Sequence, residues 1–218
     1  NYPVSLFLNG EYWGIYLLQE RFGDSYVEEN YGIDKDNVVV FENDVLDEGI
    51  EEDVALYDEL LDFFATADLC NEEEYESACE IIDVPAFIQY MSTEIYVANA
   101  DWPNNNMRMY RSRINGEHQN EDNKWRLMLY DTDDSSNMIP NKCSPNIDSF
   151  TNEAHWSKGP LDDSCTIGLL FTKLLANSQF RSDFETEFTR IANEVFEYSL
   201  VDEYLDEKVE LLKTPMLN

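Results

Sequence analysis

The chain opens on two runs rich in aromatic and branched apolar residues, Val4-Ser-Leu-Phe-Leu8 and Glu11-Tyr-Trp-Gly-Ile-Tyr-Leu17-Leu18, with Asn9-Gly10 between them. Asn-Gly accepts the positive φ angles of a two-residue turn, so the runs are predicted to pair as an antiparallel hairpin. A short helix is expected near Asp24 to Asn30 and a strand over Asn37-Val-Val-Val-Phe41, and the acidic stretch to Asp53 reads as a loop. The period then lengthens to that of a helix. Val54, Tyr57, Leu60, Leu61 and Phe64 mark one helix, and Val84, Ile88, Met91, Ile95 and Ala98 mark another, behind Asp83 as N-cap and Pro85 in the first turn. Met107 to Arg111 and Trp125 to Tyr130 are expected to form a strand pair across the polar loop Asn115 to Asn123. After an irregular stretch from Asp134 to Pro160 come three further amphipathic patterns: Ile167, Leu170, Phe171, Leu174 and Leu175; Phe180, Phe184, Phe188, Ile191 and Val195; and Val201, Leu205, Val209 and Leu212. These stripes are read as core packing. The fold class is α+β.

At 218 residues the chain can bury about 70% of its unfolded surface, as one domain or two small lobes. Its 14 Lys and Arg stand against 46 Asp and Glu, a net charge of −32. Such a surface repels nucleic acid and anionic lipid and favours cations or Lys/Arg-rich peptides, although the charge alone also serves solubility. No apolar run approaches the ~20 residues of a membrane span, and no signal peptide is visible. The chain begins at Asn1-Tyr-Pro, almost inside its first strand and without an initiator Met, which reads as a mature or excised fragment. Cys70, Cys79, Cys143 and Cys165 lack Cys-x-x-Cys spacing and hence a zinc or redox signature. Two disulfides by sequence-near pairing, Cys70 with Cys79 and Cys143 with Cys165, and four free thiols are both open.

Candidate chemistry concentrates in Asn99-Ala-Asp-Trp-Pro-Asn-Asn-Asn106, directly after the apolar helix, where Asp101 precedes Asn106 by five residues. Downstream, Trp125-Arg-Leu-Met-Leu-Tyr130 delivers Asp131-Thr-Asp133-Asp134. Protein kinases space their chemistry this way: an Asp orients the attacking hydroxyl, an Asn five residues on holds Mg²⁺, and a strand pair ends in a metal-binding Asp. Asp, Asn and Pro are also ordinary turn residues, so the loop by itself is weak evidence. Competing chemistries lack their motifs. There is no G-x-S-x-G, H-E-x-x-H, G-x-x-x-x-G-K-[ST] or G-x-G-x-x-G, and His118 and His155 fall in predicted loops as expected surface residues. Asp131-Thr-Asp-Asp-Ser-Ser lacks the Gly and Glu of an EF-hand, and no pair of glycosidase carboxylates stands out.

Three ordered segments carry a more specific likeness: Phe7-Leu-Asn-Gly-Glu-Tyr-Trp-Gly-Ile-Tyr-Leu-Leu-Gln-Glu20, Asn99 to Asn106, and Trp125 to Asp133. They resemble the spore-coat-protein-H (CotH) family of atypical kinases, whose pattern runs loosely N-G-x-Y-x-G-x-Y-x-L-x-E, N-x-D-x-x-x-N-N, W-D-x-D. The resemblance covers most of residues 4 to 133. It implies an atypical protein-kinase-like fold over residues 1–218, with 1–43 as the end of a small lobe, hinge and following strand, and 44–218 as a mainly helical large lobe. It implies ATP with Mg²⁺ or Mn²⁺ and transfer of the γ-phosphate to Ser or Thr of secreted or coat proteins, at an extracellular or cell- or spore-surface location. On that basis Asp101 would orient the acceptor, Asn106, Asp131 and Asp133 would bind metal, and Gln19, Glu20 and Arg21 would face adenine. Two departures favour an alternative, a catalytically silent module of a spore coat or cellulosome. Glu42 stands where relatives often carry Lys, and the strands bearing the nucleotide-binding Lys would precede Asn1.

Overall fold

The computed structural model describes residues 2–135 and 146–216. The chain divides into two compact units, Phe22–Thr189 and a second formed by Asn1–Arg21 with Arg190–Asn218. In the latter, β1 (Tyr2–Leu8) and β2 (Glu11–Leu18) pair antiparallel around Asn9 and Gly10, whose φ angles of 52° and 86° are those the Asn-Gly turn requires. Trp13 is the extra residue of a bulge, since Phe7 faces Tyr12 and Leu6 faces Gly14. The long C-terminal helix, Tyr198–Met216, packs on β2. Its apolar stripe was expected to be core, yet Leu205 and Val209 are exposed, a two-stranded hairpin being too small a surface to cover the whole stripe.

The larger unit is built on a four-stranded antiparallel sheet of order β4-β3-β5-β6: β3 is Val38–Glu42, β4 Val45–Glu48, β5 Arg108–Ser112 and β6 Arg126–Leu127. Strand side chains alternate between faces, and in β3 both faces are covered. Val39 and Phe41 join the main core with the helices, whereas Val38 and Val40 join a smaller cluster under α1 (Asp24–Tyr31) that includes Val27, Ile33, Tyr110 and Met128. That double burial explains the unbroken Val-Val-Val-Phe run. The Phe41 ring stacks on Tyr57 at 4.2 Å, and Trp125 meets both edge-on.

Around the sheet lie α2 (Val54–Thr66), α3 (Glu72–Ile81), α4 (Val84–Val97), α5 (Thr166–Leu174) and α6 (Ser178–Arg190), the last running into a π turn over Ile191–Val195. Mixed helix and antiparallel strand make this an α+β fold, as the sequence pattern indicates. Two elements depart from expectation. Val45–Glu48 is a strand rather than part of a loop, because Asn43 and Asp44 both take positive φ (48° and 67°) and close a two-residue hairpin turn. The run Trp125 to Tyr130 contributes only Arg126 and Leu127 to the ladder, since its end bends towards the loop after α4.

Candidate active site

α4 aims the chain at the site. The Asp83 side chain accepts from Ala86 N–H at 3.1 Å and caps its start, and Ala98, left-handed at φ 53°, ends it and turns the backbone into Asn99–Asp101. Trp102 then anchors the loop: it is wholly buried and its Nε1–H donates to Tyr90 Oη at 2.8 Å. From the sheet side, Asn43 and Met107 exchange hydrogen bonds, with Asn43 N–H donating to Met107 O at 2.9 Å and Met107 N–H to Asn43 Oδ1 at 3.1 Å. Both ends of the loop are thereby tied to regular structure.

Within this frame Asp101, Asn106 and Asp131 converge. Asn106, itself left-handed at φ 57°, donates from one nitrogen, Nδ2, to Asp101 Oδ2 at 2.8 Å and to the main-chain oxygen of Asp131 at 3.2 Å. Asn105 Nδ2 adds a second donor to Asp101 Oδ2 at 3.2 Å. The acidic segment is held in place by Ala100 N–H donating to Asp134 O at 3.0 Å and Asn99 Nδ2 reaching Asp131 O at 3.5 Å. The acids crowd one another. Burial raises the Asp101 carboxyl above its usual range, with Asp134 and Asp133 pushing further and Asn105 pulling back. Asp131 is raised by burial and then by Asp133 and Asp101, and its carboxyl lies within hydrogen-bonding reach of that of Asp133.

Among the described residues no group of three or more His, Cys, Asp or Glu is arranged to hold a metal ion. The smaller donor set of Asp131, Asp133 and Asn106 nonetheless fits Mg²⁺, which takes one or two protein carboxylates and fills its other positions with water and phosphate oxygens. The crowding that raises Asp131 beside Asp133 and Asp101 is of a kind a cation relieves, and the Asn106 amide is held at the same place by its bonds to Asp101 and to the backbone of Asp131. Gln19, Glu20 and Arg21 follow β2 as exposed, irregular backbone in the smaller unit.

A family model described as CotH kinase protein matches residues 1–218. The chain belongs to the CotH family. No curated protein and no solved structure gives a significant match. The match takes in the helices beyond residue 133, where the three quoted motifs end.

Arg108 of this CotH chain escaped the sequence reading, as did the surroundings of Glu42, His155 and the cysteines. Glu42, paired across β3 and β5 with Arg108, accepts from that guanidinium and, at 3.1 Å, from the Tyr130 hydroxyl. Arg108 is almost fully buried, reaches Asp47 at 3.1 Å and lies 5.6 Å over the Tyr130 ring. A carboxylate at position 42 therefore has a buried cation beside it, supplied two residues after Asn106. His118 is exposed as expected, but His155 is buried, because its ring sits under the loop with Nδ1 at 3.1 Å from Asn99 O and Nε2 at 3.0 Å from Ser149 O. Cys70 and Cys79 are free thiols, which removes their pairing: Cys70 faces Ala176 O at 3.6 Å, while Cys79 lies beside Tyr75. Cys165 is also free, and Cys143 lies outside the described residues.

Proposed function

We propose that this chain is an atypical protein kinase that transfers the γ-phosphate of ATP to Ser or Thr of secreted or surface proteins. The observation that carries this is the single Asn106 amide bonded both to the Asp101 carboxylate and to the backbone of Asp131, which ties the acceptor-side loop to the segment bearing the metal-side acids across 30 residues of sequence. Asp101 receives two amide donors on Oδ2, which fix the carboxylate that would set the direction of an incoming hydroxyl. Asn106, Asp131 and Asp133 would hold Mg²⁺ or Mn²⁺, which supplies neutralisation of phosphate charge when bound. Gln19, Glu20 and Arg21 are assigned to the adenine side on the family likeness. The acidic surface favours Lys/Arg-rich acceptor segments and disfavours nucleic acid and anionic membranes, and among the described residues no helix is long and apolar enough to cross a membrane. An extracellular or coat location accords with the family.

The test is transfer of labelled γ-phosphate to Ser-containing basic peptides. Asp101→Ala is expected to lower the rate by about 10²–10⁴-fold, the range for a positioned acid–base group, while nucleotide affinity stays near wild type. A folded wild-type protein that binds nucleotide but transfers nothing would instead support a silent module.

A further inference from the structure

Glu94 lies on α4, five residues before Asn99, with no exposed surface and no hydrogen-bond partner for either carboxyl oxygen. None of the roles assigned above uses it. Two oxygens of the adjoining loop are in the same condition: Asn99 Oδ1 and Asp101 Oδ1 are buried and unpartnered. Nearby donors are already engaged, with Asn99 Nδ2 directed to Asp131 O at 3.5 Å and the Asn105 and Asn106 amides directed to Asp101 Oδ2. An ionised carboxylate in such a place would be a buried charge beside Asp101, with the Asn99 amide already directed to Asp131 O, which is far costlier than a neutral acid. A carboxyl group that keeps its proton reverses the count. It becomes a donor, and an acceptor lacking a donor is what the loop presents to it.

The ionisable groups facing Glu94 agree. Burial pushes its pKa up to about 8, with the Asn99 amide pulling back in part and Asp101 pushing further. Tyr90, one turn earlier on α4, is fully buried and also disfavours a negative neighbour. His155 grips the same loop from its other side through Asn99 O.

We propose that Glu94 is a neutral carboxylic acid at physiological pH and a positioning residue for Asp101, its O–H bridging α4 to the unpartnered side-chain oxygens of the Asn99–Asp101 loop. Losing that proton puts a second negative charge beside Asp101 and removes the carboxyl O–H donor, so the loop is released as pH rises through the Glu94 titration. The catalytic meaning of this rests on the role proposed above for Asp101. The proton and its hold on the loop do not.

Glu94→Gln keeps the volume, stays neutral and is expected to fold. An infrared difference spectrum between wild type and this variant at neutral pH should show the carbonyl stretch of a protonated carboxylic acid. The amide resonances of Asn99 and Asp101 should shift with a midpoint near pH 8 in wild type and lose that step in Glu94→Gln. The wild-type transfer rate should fall over the same interval, a limb absent from the variant. No protonated-acid band, or loop amides that titrate alike in both proteins, would overturn the proposal. Band and loop titration without phosphate transfer would support the proton's hold on the loop and count against the kinase function alone.

Discussion

Trp102 separates the roles of packing and chemistry at the residue scale, because it adjoins Asp101 yet touches only the core. Its ring has no exposed surface, meets Tyr90 and His155 edge-on at 6.1 and 5.9 Å, and donates to Tyr90 Oη. Trp102→Ala should therefore destabilise the fold by about 3–5 kcal/mol, the usual range for emptying a buried aromatic site. Trp102→Phe should cost less, about 1–3 kcal/mol for the lost donor to Tyr90, and urea denaturation midpoints measure both. Equal midpoints for all three proteins would remove Trp102 as the loop's anchor. The convergence of Asp101, Asn106 and Asp131 was legible in the sequence because Asp101 and Asn106 share one short loop and Asp131 ends an apolar run. Glu94, Arg108 and His155 were not. A Glu on an amphipathic helix reads as solvent-facing, and its burial depends on the Asn99–Asp101 loop folding over it. Arg108 and His155 are likewise buried by partners distant in sequence, Glu42 and Asp47 for one and Asn99 for the other.

At the scale of elements, α4 and the sheet meet through Asp83. One oxygen caps the helix and the other accepts from Arg126 Nε at 2.9 Å, while Arg126, almost fully buried, also pairs with Asp122 at 2.6 Å. The cap is worth about 1 kcal/mol, and a hydrogen bond to a charged group about 1.5–3 kcal/mol. Asp83→Ala is thus expected to cost about 2–4 kcal/mol in chemical denaturation. Asp83→Asn, which still caps, should recover roughly the first part. Identical losses for both substitutions would show that the cap contributes nothing. Elements with a strong local signal were readable: the Asn9-Gly10 hairpin, the doubly buried β3, and α4 with its Asp and Pro. β4 was not, because it is four residues long inside an acidic stretch, and its only local sign is the Asn43-Asp44 turn. The Trp125 run promised a longer strand than forms, since apolar composition does not show where a chain leaves the ladder to bring Asp131 to Asn106.

For the whole molecule the dominant fact is charge. A triphosphate approaching a chain of net charge −32 meets repulsion, and the candidate site adds Asp101, Asp131, Asp133 and Asp134. On the proposed function a bound cation would make that approach favourable, since it would be the largest local charge and would invert the field there. The family model sets the class of protein, while nucleotide and metal chemistry rest on the arrangement of these side chains. Calorimetric titration of a non-hydrolysable ATP analogue into the protein, with and without Mg²⁺ or Mn²⁺, reports on that arrangement most directly. Binding is expected only with the divalent cation, and Asp131→Ala is expected to abolish the cation-dependent part. Equal binding with and without cation, or an Asp131→Ala variant that binds as wild type does, would contradict the account.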